Sequence, residues 1–146
     1  FNNNTNLVVS NAEGGEENKS SVTSYYDGLN GPVADRPEKN RQTAACWLVI
    51  AKKQGNYLYV TNTGSNNISS YSINENGMLT LTYAIAATSG AEPTDMVLSG
   101  GDQEYVYNIN SGSQTITGFS READGNLTKI SQINNLPLYA AGLAAY

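Results

Sequence analysis

The chain is a succession of short apolar runs separated by polar turns. In residues 68–73, Ile68, Ser70 and Ser72 alternate with Ser69, Tyr71 and Ile73, which is the period of two expected of a β-strand. No segment carries a sustained helical period, and Gly142 interrupts the alanine-rich stretch near the end of the chain. The pattern therefore predicts an all-β protein.

The same pattern is repeated at intervals of 46 to 48 residues. Ile68-Ser69-Ser70-Tyr71-Ser72 recurs 48 residues later as Ile116-Thr117-Gly118-Phe119-Ser120, and Cys46-Trp47-Leu48-Val49 recurs as Thr94-Asp95-Met96-Val97. Tyr59-Val60-Thr61-Asn62 recurs 46 residues later as Tyr105-Val106-Tyr107-Asn108. The repeat predicts units of four strands: A at 47–51 and 96–99, B at 57–61 and 105–108, C at 68–73 and 115–120, and D at 79–84 and 127–132.

Units of four strands and 40 to 50 residues are typical of β-propeller blades, whereas the alternative, a β-sandwich, does not normally carry such a repeat. The strand order is BCD, ABCD, ABCD and a final A. We expect one partial propeller domain over 1–146, with blades at 1–43 plus a terminal strand at 139–146, at 44–90 and at 91–138.

About three blades are too few to close a ring, because propellers have four to eight. The sequence therefore leaves two possibilities for the rest of the ring. Either further blades precede this segment, or two copies join head to tail as a six-bladed homodimer in which each terminal strand A completes the partner's first blade.

Composition narrows the function further. The net charge of −5 argues against nucleic acid or an anionic membrane as a partner, and no apolar run approaches the length of a membrane span. The chain has no histidine and one cysteine, Cys46. It therefore lacks the residues of a Ser-His-Asp or Cys-His triad and of an ordinary zinc site, and we expect no metal and no cofactor.

The segments QTAACWLVI, YLYVTNTGSNNISSYSI, GAEPTDMVLS and GLAAY resemble the C-terminal part of lactonase-type seven-bladed β-propellers, the proteins similar to 6-phosphogluconolactonase and to carboxymuconate-lactonising enzymes. The resemblance extends from Leu7 to Tyr146 and implies that about half of a standard member lies outside this chain. Members are found in bacterial envelopes, so it also implies a secreted or periplasmic location. Proposed catalytic members use His, Arg and Glu, a set that this chain does not supply in full.

Three charged residues are the candidates for a site. Arg41 precedes strand A of one blade, and Glu92 and Asp95 flank the start of strand A of the next, where blade loops converge on the central channel. Together they could bind a small polar ligand and polarise a lactone carbonyl. The alternative is that they cap strand ends and form surface ion pairs, which contribute little to the stability of the fold.

Other singled-out residues have structural interpretations. Cys46 is expected to be a small buried hydrophobe, and Trp47 to be core or channel wall. Asn62 and Asn108 are expected to occupy equivalent places and to bind the local turn backbone. The first functional hypothesis is therefore a scaffold or binding module without catalysis. The second is a hydrolase or cycloisomerase acting on a small sugar or dicarboxylate lactone at the channel mouth.

Overall fold

The computed structural model describes residues 7–28, 31–34 and 36–146. One 3-10 turn, Glu13–Gly15, lies in this part of the chain, and the rest of its regular structure is extended. The strands are β1 (Leu7–Asn11), β2 (Ser21–Gly28), β3 (Gly31–Ala34), β4 (Glu38–Lys39), β5 (Ala45–Ala51), β6 (Tyr57–Asn62), β7 (Asn67–Ile73), β8 (Leu79–Thr88), β9 (Pro93–Leu98), β10 (Tyr105–Asn110), β11 (Thr115–Arg121) and β12 (Leu127–Ile133).

These strands form three antiparallel sheets of four strands each, which we call blades 1, 2 and 3. Blade 2 has the order β5-β6-β7-β8, and blade 3 has the order β9-β10-β11-β12. In blade 1, β1 pairs with β2, and the other edge of β2 is shared by β3 and β4. The predicted all-β propeller architecture is confirmed, including the strand order A to D in blades 2 and 3.

The core lies between the blades, because successive side chains of a strand point to opposite faces of its sheet. Leu58 and Val60 of β6 pack with Val8 and Val22 of blade 1. Tyr59, between them in sequence, packs on the opposite side with residues of blade 3, among them Met96, Val106 and Phe119. Blade 2 therefore buries one face against blade 1 and the opposite face against blade 3.

A buried arginine fastens blade 3 to blade 2. The guanidinium of Arg121 lies 2.6 Å from the Glu104 carboxylate, and its side chain is fully buried. It also donates to the carbonyls of Lys53 and Gly55, in the turn that joins the first two strands of blade 2. Its centre lies 5.8 Å from the centroid of the Tyr59 ring. A buried charge needs such partners, so this clamp is specific to one arrangement of the two blades.

A second contact between blades 2 and 3 involves the hairpin turn after β11. The Tyr83 hydroxyl donates to the Asp124 carboxylate at 2.7 Å. The hydrogen bond to Asp124 raises the pKa of Tyr83. The pKa of Asp124 is lowered, first by the backbone N–H of Asn126 and then by Tyr83. Gly125 has a φ of 89°, and a Cβ there would lie 2.5 Å from the Tyr57 ring, so only glycine fits.

In each blade, an asparagine at the end of one strand donates to two side chains of the strand that follows it in the chain. Asn11 binds Ser21 and Thr23, Asn62 binds Asn67 and Ser69, and Asn110 binds Thr115 and Thr117. The structural equivalent of Asn62 is therefore Asn110, and the expected pairing with Asn108 is wrong. The partners are side chains of the next strand and not the turn backbone. Asn40 adds a donor to Asn62 in blade 2.

The end of the chain differs from the prediction of a terminal strand. Residues 139–146 have no strand hydrogen bonding. The Leu143 N–H instead donates to the Asp95 carboxylate of β9, and the Tyr146 carbonyl carbon would lie 3.1 Å from a Cβ on Gly100. The segment thus runs beside β9, held by a side-chain hydrogen bond and not by a backbone ladder. No helix within the described ranges is long and apolar enough to cross a bilayer.

Candidate functional site

The segments that lead into β5 and β9 are joined by the loop after β6. In that loop, the Gly64 N–H donates to the Thr43 carbonyl at 3.1 Å, and the Thr63 hydroxyl donates to the Pro93 carbonyl at 2.8 Å. The Asn66 side chain accepts from the Glu92 N–H at 2.8 Å. We call β5 and β9, the first strands of blades 2 and 3, the inner strands. Their starts therefore lie on one face of the molecule, which we call the upper face. It carries Arg41, Glu92 and Asp95.

The backbone of this face is repeated from blade 2 to blade 3. Ala44 has a φ of 55° and Glu92, 48 residues later, has a φ of 53°. The Ala44 carbonyl accepts from Thr63 at 2.9 Å, and the Glu92 carbonyl accepts from Ser111 at 2.9 Å. Alanine meets this backbone requirement in blade 2, so the carboxylate of Glu92 is not needed for the conformation. The Glu92 side chain is exposed.

Both inner strands carry a β-bulge at the same place. The register of β5 against β6 shifts between Ala45 and Leu48, and that of β9 against β10 shifts where Asn110 pairs with Pro93. The Thr61 hydroxyl holds the first bulge by accepting from the Trp47 N–H at 3.0 Å. Bulges re-aim side chains and occur often beside active sites.

The bulge exposes Cys46, which was expected in the core, and Trp47, which was expected in the core or the channel wall. Cys46 is an exposed free thiol, so its predicted burial is wrong. Trp47 is 50% exposed, which excludes the core and leaves the channel-wall interpretation as a prediction. The reason is the extra residue in β5, which breaks the in–out alternation that would have buried one of the two side chains.

The basic candidate lies on the same face in a groove. Arg41 is exposed and has a φ of 59°, in the left-handed region that a β-carbon disfavours. It lines a shallow groove together with Arg36, Pro37, Glu38 and Lys39. Three cationic side chains thus gather in a chain whose net charge is −5.

The carboxylate of the third candidate, Asp95, already accepts hydrogen bonds from the backbone. Asp95 is 7% exposed, and its two carboxylate oxygens accept from the N–H groups of Met96 at 2.7 Å and Leu143 at 2.8 Å. Asp95 therefore fastens the last segment of the chain to β9. Among the described residues the ion pair is that of Arg121 with Glu104, so Arg41 is not paired with Glu92 or Asp95 there.

The described residues do not form a cluster typical of a metal centre. Within the described ranges, no group of three or more His, Cys, Asp or Glu side chains is positioned to hold a metal ion. Tyr59 and Tyr71 pack between blades and so do not contribute to the exposed surface of the upper face. Their burial raises the pKa of both hydroxyls. The exposed chemistry of the upper face is thus an arginine, a carboxylate, a thiol and an indole.

Comparisons with solved structures show the fold. A functionally unknown protein from Desulfotomaculum acetoxidans has a TM-score of 0.71 and 17% identity, over 92% of this chain and 40% of its own. A proposed 6-phosphogluconolactonase from Bacteroides uniformis has a TM-score of 0.70 and 18% identity, over 92% and 41%. The periplasmic gluconolactonase of Pseudomonas aeruginosa has a TM-score of 0.66 and 17% identity, over 89% and 39%.

This chain thus spans about 40% of the length of such structures. A search of curated proteins found no match. The sequence profile described as "Lactonase, 7-bladed beta-propeller" matches residues 15–138, which is most of the chain. Together with the three stacked blades, this match shows that the chain belongs to the seven-bladed β-propeller lactonase family.

Proposed function

We propose that this chain forms part of the wall of a small-molecule site on the upper face, and that the ligand is a sugar lactone or the hydroxy acid derived from it. The observation that carries the proposal is Trp47, which is 50% exposed on an inner strand because a β-bulge turns it out of the core. Ligand sites are concave and use aromatic surface with a few polar groups.

The polar groups of the proposed site are Arg41 and Glu92. Both are exposed side chains on residues with positive φ, in the segments that precede β5 and β9. A guanidinium binds a carboxylate in a charge-assisted, bidentate manner, and a carboxylate accepts from sugar hydroxyls. Asp95 is a positioning residue in this proposal, because its oxygens already accept two backbone hydrogen bonds.

Trp47 is the only tryptophan of the chain, so its fluorescence reports on the proposed site alone. Titration with gluconate is expected to change its emission saturably. Arg41→Ala and Glu92→Gln are expected to weaken binding by about tenfold each, the size of one lost hydrogen bond to a charged group. Lys129→Ala, which removes an exposed cation from β12, is the matched control. An emission that gluconate leaves unchanged contradicts the proposal.

The second candidate function is hydrolysis of a sugar lactone, and membership of the lactonase family favours it. In that reaction Arg41 would polarise the lactone carbonyl, and Glu92 would act on the attacking water. The test is the rate of acid release from glucono-δ-lactone, corrected for spontaneous hydrolysis. Loss of the catalysed rate in both Arg41→Ala and Glu92→Gln is expected, whereas unchanged rates would remove these residues from any mechanism.

A further inference from the structure

The bulge in β5 interrupts the backbone ladder at the residues that carry the exposed thiol and indole. The register shifts between Ala45 and Leu48, so Cys46 and Trp47 together stand opposite the single residue Thr61. A bulge disrupts the ladder locally, and a backbone N–H or carbonyl left unpaired inside a protein costs free energy. The backbone of the bulge therefore needs hydrogen-bond partners from side chains.

Thr61 supplies two such partners to Trp47. Its hydroxyl accepts from the Trp47 N–H at 3.0 Å and donates to the Trp47 carbonyl at 3.3 Å. Thr61 is buried, so it makes these hydrogen bonds away from water. Holding the N–H and the carbonyl of one residue restrains its backbone dihedral angles. Those angles set the direction of the Cα–Cβ bond and limit the rotamers that the indole can adopt.

The equivalent position of blade 1 holds the other residue of the bulge. Ser10 precedes Asn11 in β1 as Thr61 precedes Asn62 in β6, and the Ser10 hydroxyl donates to the Cys46 carbonyl at 2.5 Å. Two hydroxyls at equivalent strand positions therefore converge on two consecutive residues of β5. The backbone that carries the indole is thus held by side chains, which is the preorganisation that favours ligand binding.

Blade 3 has the same bulge without the hydroxyl. Ile109 stands in the place of Thr61, and Asp95 stands in the place of Trp47. A bulge therefore forms opposite isoleucine, so the Thr61 hydroxyl is not required for the bulge itself. In blade 3 the bulged side chain holds its own backbone, because the Asp95 carboxylate accepts from the Met96 N–H. The hydroxyl is present in the blade whose bulged side chain is exposed.

We propose that Thr61 is a positioning residue of the site on the upper face: it fixes the backbone of Trp47 and so holds the indole in the orientation that receives the ligand. The part of the indole in binding rests on the proposed function, whereas its fixed orientation is a property of the ligand-free chain. Without the hydroxyl the indole samples more orientations, and the ligand binds only the fraction of chains in the competent one.

Thr61→Val tests the proposal, because it removes the hydroxyl and keeps the shape of the side chain. Trp47 is the only tryptophan, so time-resolved fluorescence anisotropy of the ligand-free chain reports on its indole alone. Thr61→Val is expected to enlarge the fast component of indole motion, and Thr61→Ser, which keeps a hydroxyl, is expected to restore it. Ile109→Val alters the equivalent buried position of blade 3 and is the matched control, with no expected change.

Titration with gluconate gives the second readout. Thr61→Val is expected to weaken binding about fivefold, the change that follows if the competent orientation falls to about one fifth of the population. Thr61→Ser should bind as the parent chain does. Far-UV circular dichroism checks that the variants are folded, and Thr61→Ala replaces Thr61→Val if that variant is not.

The two readouts separate this proposal from the proposed function. Unchanged anisotropy in Thr61→Val overturns the positioning role, as does a Thr61→Ser chain that behaves like Thr61→Val. An indole that moves more while the affinity for gluconate is unchanged also overturns it. Increased indole motion in Thr61→Val, in a parent chain that does not bind gluconate, supports the fixed orientation and contradicts the proposed function instead.

Discussion

Blades 2 and 3 have nearly the same backbone and carry different side chains where their inner strands begin. The bulges, the left-handed residues Ala44 and Glu92 and the hydrogen bonds that hold them recur 48 residues apart. At the bulges, however, blade 2 has an exposed thiol and indole, and blade 3 has Thr94 and the buried Asp95. The comparison separates residues that the blade requires from residues that are free to serve a site.

The largest test of this comparison concerns the clamp between the two blades. Arg121→Ala leaves the Glu104 carboxylate without its ion-pair partner, and we expect a loss of about 3–5 kcal/mol in the free energy of unfolding. Arg121→Met combined with Glu104→Leu should restore much of that loss, because it removes both charges. Arg41→Ala, an exposed arginine of the upper face, is expected to change stability by less than about 0.5 kcal/mol. Urea unfolding measures all three.

Arg121→Ala and Arg41→Ala could instead lower the free energy of unfolding by the same amount. That result would contradict the distinction between an arginine that holds the blades together and an arginine that serves the site. A double variant no more stable than Arg121→Ala would show that the clamp acts through the hydrogen bonds to the Lys53 and Gly55 carbonyls and not through the charge pair.

The two arginines are expected to differ in their effect on stability, whereas the repeated asparagines are expected to behave alike. The same substitution should therefore have similar effects in blades 2 and 3. Asn62→Ala and Asn110→Ala each leave buried side chains without a donor, and we expect losses of about 2 kcal/mol or more. Asn62 should cost the more, since Asn40 also donates to it. Thermal unfolding of both variants checks this, and a harmless Asn110→Ala would contradict the shared role.

Gly125 tests the fit of the blade 3 hairpin against blade 2. Gly125→Ala adds a Cβ that would lie 2.5 Å from the Tyr57 ring, at a φ of 89°. Gly101→Ala is the matched control, because Gly101 has a φ of 97° and nothing within 4 Å of its Cβ position. Both variants bear backbone strain of about 1 kcal/mol, and Gly125→Ala should cost about 1–2 kcal/mol more in chemical denaturation. Equal losses would mean that the hairpin does not press on Tyr57.

The smallest expected effect is on the pH dependence of stability. The folded pKa of Asp124 is lowered from 3.8 by Asn126 and Tyr83, so its contribution is present above pH 3.8 and is lost as the pH falls through the folded pKa. Tyr83→Phe is expected to flatten this acid dependence slightly, because it removes one of the hydrogen bonds that lower the pKa of Asp124. Unfolding midpoints measured on either side of that pH provide the readout. An unchanged acid slope would show that the Tyr83 hydroxyl does not stabilise the carboxylate.

The strands could be predicted from sequence because residues such as Ile68 and Ile116, or Leu79 and Leu127, recur at the spacing of the blades. The register of the second strand could not. Tyr57 and Tyr59 are two residues apart, as are Tyr105 and Tyr107, so separations of 46 and 48 both superpose a tyrosine on a tyrosine and keep the same face inward. The contacts of Asn110 with the third strand, which match those of Asn62, select 48.

The exposure of Cys46 and Trp47 was also beyond the sequence pattern. Alternation predicts one buried and one exposed side chain, and a bulge depends on how β5 pairs with β6 and not on β5 alone. Similarly, nothing in the sequence indicates that the Asp95 carboxylate accepts a hydrogen bond from the Leu143 N–H. The two residues meet only when the end of the chain lies beside β9. Arg41 and Glu92 were singled out because they precede apolar strands, and their part in a site stays a prediction.

The most direct test of the central claim is an amide NMR titration of the chain with gluconate. If the side chains that differ between blades 2 and 3 form a site, chemical-shift changes should fall in residues 41–47 and 91–95. They should be absent from the lower turns at 52–56 and 122–126, where the clamp and hairpin contacts join the two blades. Changes centred on those lower turns, or no changes at all, would contradict the account.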